Sequence, residues 1–489
     1  MRRLAYVAKI ALAVVLAAGA TAAVLHWVFG VQIRLAGSGM PRLSRPVSPD
    51  DAARALETHR AQQKHEPAPA VVPSPPPEPA PQAAPELARD AAPLAPVLRP
   101  TRRPYWTGFR GPLRDGVYRE QPLLTAWPSA GLTPIWKQPV GGGYASFAIA
   151  NGRAFTIEQR RAQEVVTAYD VETGRELWAH GWDGEFKEWM GGDGPRATPS
   201  WANGRVYALG AIGELRCLDD ATGAVVWRVN ILEDNAAGNL PWGMAASPLL
   251  VDDLVVVLPG GPAGRSVVAY DAKTGARRWA ALNDKQAYSA PMLTTIEGTR
   301  QILIITSTRL VAITPESGEL LWEYPWPTMN DINASQPVIL PPGNRVLVSS
   351  GYGHGAALLE VTRNDGHFGT RLVWENSRLK NRFSTSIEHE GFIYGLDENI
   401  LTCLDAATGE TKWKAGRYGH GQIVRAGDHL LVLTEEGELV LVKMNPERLE
   451  EVTRVAALEG KTWNHPAIDN GRLLVRNLAE MAAFDLRAR

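Results

Sequence analysis

Arginine, lysine, histidine, amide and aromatic residues gather at one recurring place in this sequence, the stretch between a repeated tryptophan and the next hairpin. In chain order these stretches supply Tyr144, Arg196, Trp242 with Met244, Tyr288, Asn333 with Gln336, Lys380 with Arg382, His420 with Gln422, and Trp463 with Asn464. Guanidinium forks and ammonium groups bind carboxylates and other anions, and indole and phenol rings offer flat stacking faces. The set is nearly free of carboxylates. It therefore lacks a general base for hydroxyl deprotonation and the hard oxygen ligands that Ca²⁺ needs. These residues suit a small planar anion, and no residue among them is assigned a catalytic role. The competing reading is that they hydrogen-bond only to channel water and to each other.

What must position these residues is a repeat. Five times an apolar segment runs into a turn, a glycine, and a tryptophan four residues on: Asp170–Gly174–Trp178, Asp219–Gly223–Trp227, Asp271–Gly275–Trp279, Thr314–Gly318–Trp322 and Asp405–Gly409–Trp413. A sixth copy, Glu360 to Trp374, is stretched and out of register. A period of roughly 40–50 residues with several strands per unit is a β-propeller signature. A second turn series, including Asn151-Gly152, Asn203-Gly204, Glu297-Gly298, Glu390-Gly391 and Asn470-Gly471, suits tight hairpins in which both central residues take positive φ.

Counting these hairpins predicts an all-β, eight-bladed propeller of four-stranded blades, with seven as the alternative count. The seventh unit is degenerate and has no tryptophan. The eighth ends at Asp485 with no room for its outer strand. Thr133-Pro-Ile-Trp136-Lys matches that missing strand, so an N-terminal strand should close the ring and hide an open edge. In this reading Trp136, Trp178, Trp227, Trp279, Trp322, Trp374 and Trp413 are structural, wedged between neighbouring blades. Cys217 and Cys403 each precede a Leu-Asp in equivalent repeats, which predicts buried strand residues in different blades, without a disulfide. Three scattered histidines, His354, His420 and His465, have no fixed ligand spacing, and no metal is assigned. Residues 182–189, from Trp182 to Trp189, read as an amphipathic insertion between blades one and two, either a rim contact for a protein partner or ordinary surface loop.

Ahead of the propeller the sequence changes character. Arg2, Arg3 and Lys9 precede an apolar run from Ile10 to Ile33, long enough to cross a bilayer. This predicts a transmembrane anchor over 1–33; the alternative is a cleavable signal peptide, with Ala20-Thr21-Ala22 as the cleavage site. Residues 34–104 read as a disordered linker, first polar and then rich in Pro and Ala. One short helix is expected after Ser48-Pro49-Asp50-Asp51, where a capping serine, a first-turn proline and two acids coincide. The Pro/Ala tract cannot build a core and prefers extended polyproline II, reaching about 100 Å when fully stretched. It reads as a spacer, with a ligand for an SH3-type domain as the alternative. The propeller domain then covers 105–489. The formal net charge is −1 and no basic stripe alternates with aromatics, so no nucleic-acid partner is expected.

The repeat, apolar-Asp-x-x-Thr-Gly-x-x-x-Trp, resembles the pyrroloquinoline-quinone (PQQ) propeller repeat over about residues 105–489. That repeat occurs in quinoprotein alcohol dehydrogenases and in the propeller lipoprotein of the outer-membrane β-barrel assembly complex. The opening Trp106-Thr-Gly-Phe109-Arg-Gly-Pro-Leu-Arg-Asp115-Gly is similar to the start of bacterial PQQ-binding-like propeller proteins. The resemblance would bring PQQ as a cofactor, but it also implies an adjacent Cys-Cys pair and a Glu/Asn/Asp calcium cluster in the dehydrogenases, and the Cys pair is missing here. The lipidated N-terminal cysteine of the assembly lipoprotein is missing as well. The resemblance and the anchor together imply a single-pass protein of the bacterial inner membrane, tethered through residues 10–33, with its propeller in the periplasm. Two functions follow. One is a non-catalytic module binding cell-envelope proteins or a small anionic ligand. That is the preferred reading; the alternative is a PQQ-dependent oxidoreductase similar to the quinoprotein alcohol dehydrogenases.

Overall fold

In four of the blades an aspartate carboxylate holds the turn into the outer strand. In the computed structural model, Asp170 Oδ1 accepts hydrogen bonds from the backbone N–H of Glu172 and Thr173 and from Thr173 Oγ1, at 2.9–3.1 Å. Asp219 with Thr222, Asp271 with Thr274 and Asp405 with Thr408 repeat the arrangement. The glycine that follows takes a left-handed φ, +70° at Gly174 and +72° at Gly223, which glycine adopts without steric cost. The chain thereby reverses within one turn and presents the tryptophan on the strand just beyond it.

The structure describes residues 32–35, 41–44, 48–65, 104–128 and 131–488. Eight antiparallel sheets follow in chain order, spanning 148–183, 200–230, 249–281, 292–325, 338–376, 387–417, 422–456 and 467–485. The last has three strands of its own and is completed by Trp136–Pro139, which pairs antiparallel with Glu480–Asp485 and sets Trp136 opposite Ala483. The eight-bladed count and the N-terminal closure agree with the sequence reading. The seventh blade differs by one strand: Val117–Tyr118 adds to its inner edge, parallel to Gln422–Ala426.

All but one of the repeat tryptophans are held by the next blade. The indole Nε1 of Trp178 donates to Asp220 O, that of Trp227 to Ala272 O and that of Trp374 to Ala406 O, each at 3.0 Å. In the fifth blade the turn is stretched into the long hairpin Gly355–Asn364 and His367–Asn376, so the preceding Trp322 has no such carbonyl. It turns instead to Gln301 Oε1 at 2.7 Å within its own blade. Across most of the strand pairs the tryptophan meets a small residue, Ala168 for Trp178 and Ala312 for Trp322, and the two cysteines fill the same slot, Cys217 opposite Trp227 and Cys403 opposite Trp413; in the fifth blade Trp374 faces Leu358 instead. Both thiols are buried and free, with their pKa values pushed up to about 11 by burial.

Two segments before the ring depart from expectation. The anchor expected over 1–33 lies outside the described residues except at its end, where Gln32–Leu35 is a strand paired with Pro41–Ser44. A helical span cannot run through Ile33, because the backbone there is extended and engaged in a sheet. No helix among the described residues is long and apolar enough to cross a membrane. Within the segment read as a disordered linker, the helix α1 (Pro49–His65) is longer than the short helix foreseen, and it docks on the closing strand. Ser48 Oγ caps it by accepting from Asp51 N at 3.1 Å. Leu56 is buried, Arg60 pairs with Glu176 at 3.2 Å and covers the Tyr169 ring, and His59 meets Gln138 at 2.8 Å. These partners come from blades one and eight, so no local pattern in the helix revealed them. The Pro/Ala tract at 66–103 lies outside the described residues.

Candidate functional site

The inner strands converge on an axial channel, and the segment that opens the propeller plugs it. Trp106 is fully buried, and its carbonyl accepts from Ile149 N in the first blade, while Thr107 O accepts from Trp201 N in the second. Arg114 reaches Ser247 O, Pro248 O and Pro291 O, and Arg110 reaches Thr385 O, so this one segment touches inner strands around most of the ring. Both guanidiniums are buried on carbonyl oxygens without a carboxylate ion pair among the described residues. Burial lowers their pKa values, to about 9 for Arg114 and about 10 for Arg110.

Above the plug lies a cavity of about 480 Å³. Eight of the residues singled out from sequence line it: Tyr144, Arg196, Trp242, Tyr288, Arg382, His420, Gln422 and Trp463. Seven of them stand just ahead of an inner strand, where the chain crosses from one blade to the next, and Gln422 is the first residue of one.

The remaining five do not line the cavity. Met244 is buried in the core between blades two and three, its N–H held by Ala211 O. Lys380 pairs at 2.5 Å with the buried carboxylate of Asp397. Asn464 is buried and donates to Gly143 O and Ala145 O, tying blade eight to the approach of blade one. Asn333 and Gln336 do the same for their neighbours, through Thr306 O and Ala290 O.

Sequence reasoning missed Phe109, Tyr352 and Phe383, which also line the cavity. Phe109 belongs to the opening motif, Tyr352 carries no pattern of its own, and Phe383 is adjacent to Arg382, the one signal that could have found it. His465, noted only for its imidazole, forms part of the floor. It is 3% exposed, stacks on Trp106, and its Nε2 makes no hydrogen bond of ordinary geometry. Burial, with Arg110 close by, depresses its pKa to about 3, so the ring is neutral. His354 does not join the other histidines, since it packs edge-on against Trp326 at 4.4 Å.

Aromatic rings and cations alternate around the wall. Tyr144 stacks on Trp463 at 5.3 Å, and Phe383 meets Trp463 at 4.7 Å. Arg196 lies over Phe186 at 4.8 Å and Arg382 over Tyr352 at 4.1 Å. Arg382 Nη1 also contacts His420 Nε2 at 3.0 Å, and burial keeps the His420 pKa below its ordinary value. Desolvation raises the Tyr288 phenol to about 12 and that of Tyr144 further still. No Asp or Glu belongs to the described wall. Glu435 stands behind it, accepting from Trp463 Nε1 at 2.9 Å and from His420 N at 3.0 Å.

That donor set decides what the resemblance to PQQ enzymes can carry. Calcium needs several oxygen ligands, and alcohol oxidation needs a carboxylate base beside the quinone. The wall offers neither, and no group of His, Cys, Asp and Glu among the described residues is placed to hold a metal ion. The residues present do not fit a calcium-bound quinone.

At the rim, the insertion after blade one splits in two. Trp182 is buried on strand Glu176–Asp183 beneath Arg216, while Trp189 is 89% and Met190 51% exposed beside the cavity mouth. Met329, 67% exposed, adjoins Asn330 on another side of the same mouth.

Comparison with known proteins places this geometry. A family model described as outer membrane protein assembly factor BamB matches residues 161–415, more than half of the chain. Outer membrane protein assembly factor BamB of Burkholderia pseudomallei is 24% identical over 308 residues, covering 60% of this chain and 71% of that protein. Its namesake in Moranella endobia is 23% identical over 379 residues, covering 70% and 87%. Among solved structures, BamB from Moraxella catarrhalis aligns with a TM-score of 0.51 at 16% identity, over 73% of this chain and 98% of that one. The quinohemoprotein alcohol dehydrogenase ADHIIG from Pseudomonas putida aligns at 0.52 and 12% identity, over 79% and 81%. At such identities the two structures establish the propeller fold alone.

Proposed function

The chain belongs to the family described as outer membrane protein assembly factor BamB, and from that premise we propose that it is a non-catalytic binding propeller of the cell envelope. It would serve the assembly of outer-membrane proteins by presenting its axial mouth to a protein partner or a small ligand. The observation that carries this reading is the exposed Trp189-Met190 loop beside an aromatic, cationic cavity. An indole left in water at a rim is the kind of anchor that interfaces bury. The tether is part of the same proposal: an inner-membrane anchor within 1–33, a linker over 34–104 that carries α1, and the propeller, 105–489, in the periplasm. The apolar run from Ile10 supports the anchor, and the contact of α1 with the closing strand supports a linker that stays close to the ring there.

A photo-crosslinking residue at position 189, introduced in the native bacterium, tests the proposal. Crosslinks to outer-membrane assembly proteins are expected, together with reduced outer-membrane protein content when the gene is deleted. Unchanged outer-membrane protein content and no crosslinked protein would overturn it. The oxidoreductase reading finds no support in the wall, which lacks the carboxylates such chemistry uses. Alcohol-dependent dye reduction by the purified chain with PQQ and Ca²⁺ would reinstate it.

A further inference from the structure

The geometry points to a specific ligand class for the axial cavity: a flat aromatic dianion, one carboxylate held by Arg196 and the other by Arg382. This deepens the small-ligand side of the function proposed above and does not depend on the protein partner.

Ring position sets the spacing. Arg196 stands ahead of the inner strand of blade two, Ser200–Ala202, and Arg382 ahead of that of blade six, Ile387–His389. In a ring of eight blades these are half a turn apart, so the two guanidiniums approach the axis from opposite sides. Arg196 has no ion pair among the described residues. Its Nη atoms donate to Gly194 O at 2.6 Å and Gly192 O at 2.9 Å, and burial lowers its pKa. Glu188 and Asp193 act on Arg196 only from beyond ion-pair distance, and an anion in the cavity would supply a closer counter-charge. Arg382 has a single ion pair among the described residues, with Glu398 at 3.6 Å. Beneath the floor the buried Arg110 and Arg114 add positive potential, and the wall carries no carboxylate to cancel it.

Between the two arginines the wall is built of rings. Trp242 and Tyr288, ahead of blades three and four, face one side; Tyr144 and Trp463, stacked ahead of blades one and eight, face the other. Flat rings on both sides favour a flat occupant, through stacking and apolar burial. The nearby carboxylates are already engaged. Glu188 accepts from the backbone of Met190 and Gly191, and Glu435 from Trp463 and His420.

Titration calorimetry of the full-length chain with 2,6-naphthalenedicarboxylate tests this directly, with 2-naphthoate and inorganic phosphate alongside. We expect one saturable site for the dicarboxylate, at least tenfold tighter than 2-naphthoate, and no binding of phosphate alone. Arg196→Gln and Arg382→Gln should each weaken the dicarboxylate at least tenfold. Val225→Thr, on an exposed outer strand, should leave it unchanged. Thermal melts of the variants separate lost binding from lost folding. Absence of saturable binding at millimolar dicarboxylate, or equal affinity in folded Arg196→Gln, would overturn the assignment. Either result leaves the crosslinking test at position 189 to stand or fall on its own.

Discussion

Trp136 sits directly across from Ala483 in the last blade, and its indole Nε1 donates to Val171 O of the first blade at 3.0 Å. One residue thus completes one sheet and joins it to the next, repeating at the ring closure what the other tryptophans do at the seams. Trp136→Ala removes both the wedge and the hydrogen bond. Large-to-small changes of a packed aromatic cost about 3 kcal/mol. A clear fall in the unfolding midpoint is expected, while Met329→Ala, on the exposed rim, should leave it in place.

The turn glycines carry a second, separable test. Gly223 combines a φ of +72° with close contact to the Trp178 ring, whereas Gly204 has φ +75° and open space where a Cβ would go. Gly204→Ala should cost only the backbone strain of a left-handed alanine, about 1 kcal/mol. Gly223→Ala adds a collision with the indole and should be distinctly worse. Equal melting shifts for the two would mean that the tryptophan does not rest on that glycine.

The depressed pKa of His465 makes a pH prediction. The folded ring titrates at about 3, well below its ordinary 6.5, because burial disfavours the charged form. The unfolded chain therefore binds the proton first. The neutral ring's contribution to stability is complete above pH 6.5 and is lost as the pH falls toward 3, at up to about 1.4 kcal/mol per pH unit. Melting curves from pH 7.5 to 4.5 should fall more steeply for the native chain than for His465→Gln. Parallel curves would show that His465 is not buried neutral against the plug.

Local chemistry explains what could be read in advance. The Asp, Thr, Gly and Trp of each turn act on neighbours a few residues away or on an identical turn one blade further, so the repeat alone announces the blades and their closure. The mouth is different. Its crossings carry no period, and whether a side chain faces the axis depends on single distant hydrogen bonds. Asn464 turns toward Gly143 O and Lys380 toward Asp397, while Tyr352 faces the cavity from a stretch with nothing to mark it and Phe383 is marked by nothing but its neighbour Arg382. The docking face of α1 was hidden for the same reason, since Arg60 finds Glu176 and Tyr169 only after the ring has formed.

In the proposed function the repeat builds the ring and the mouth does the binding. Photo-crosslinking from two positions in the native cell tests that division most directly: position 189 on the rim and position 222 in a repeat turn. Crosslinks to an envelope partner from 189 and none from 222 are predicted. Crosslinks from 222 alone would place the binding surface on the outer edge of the blades and contradict the account.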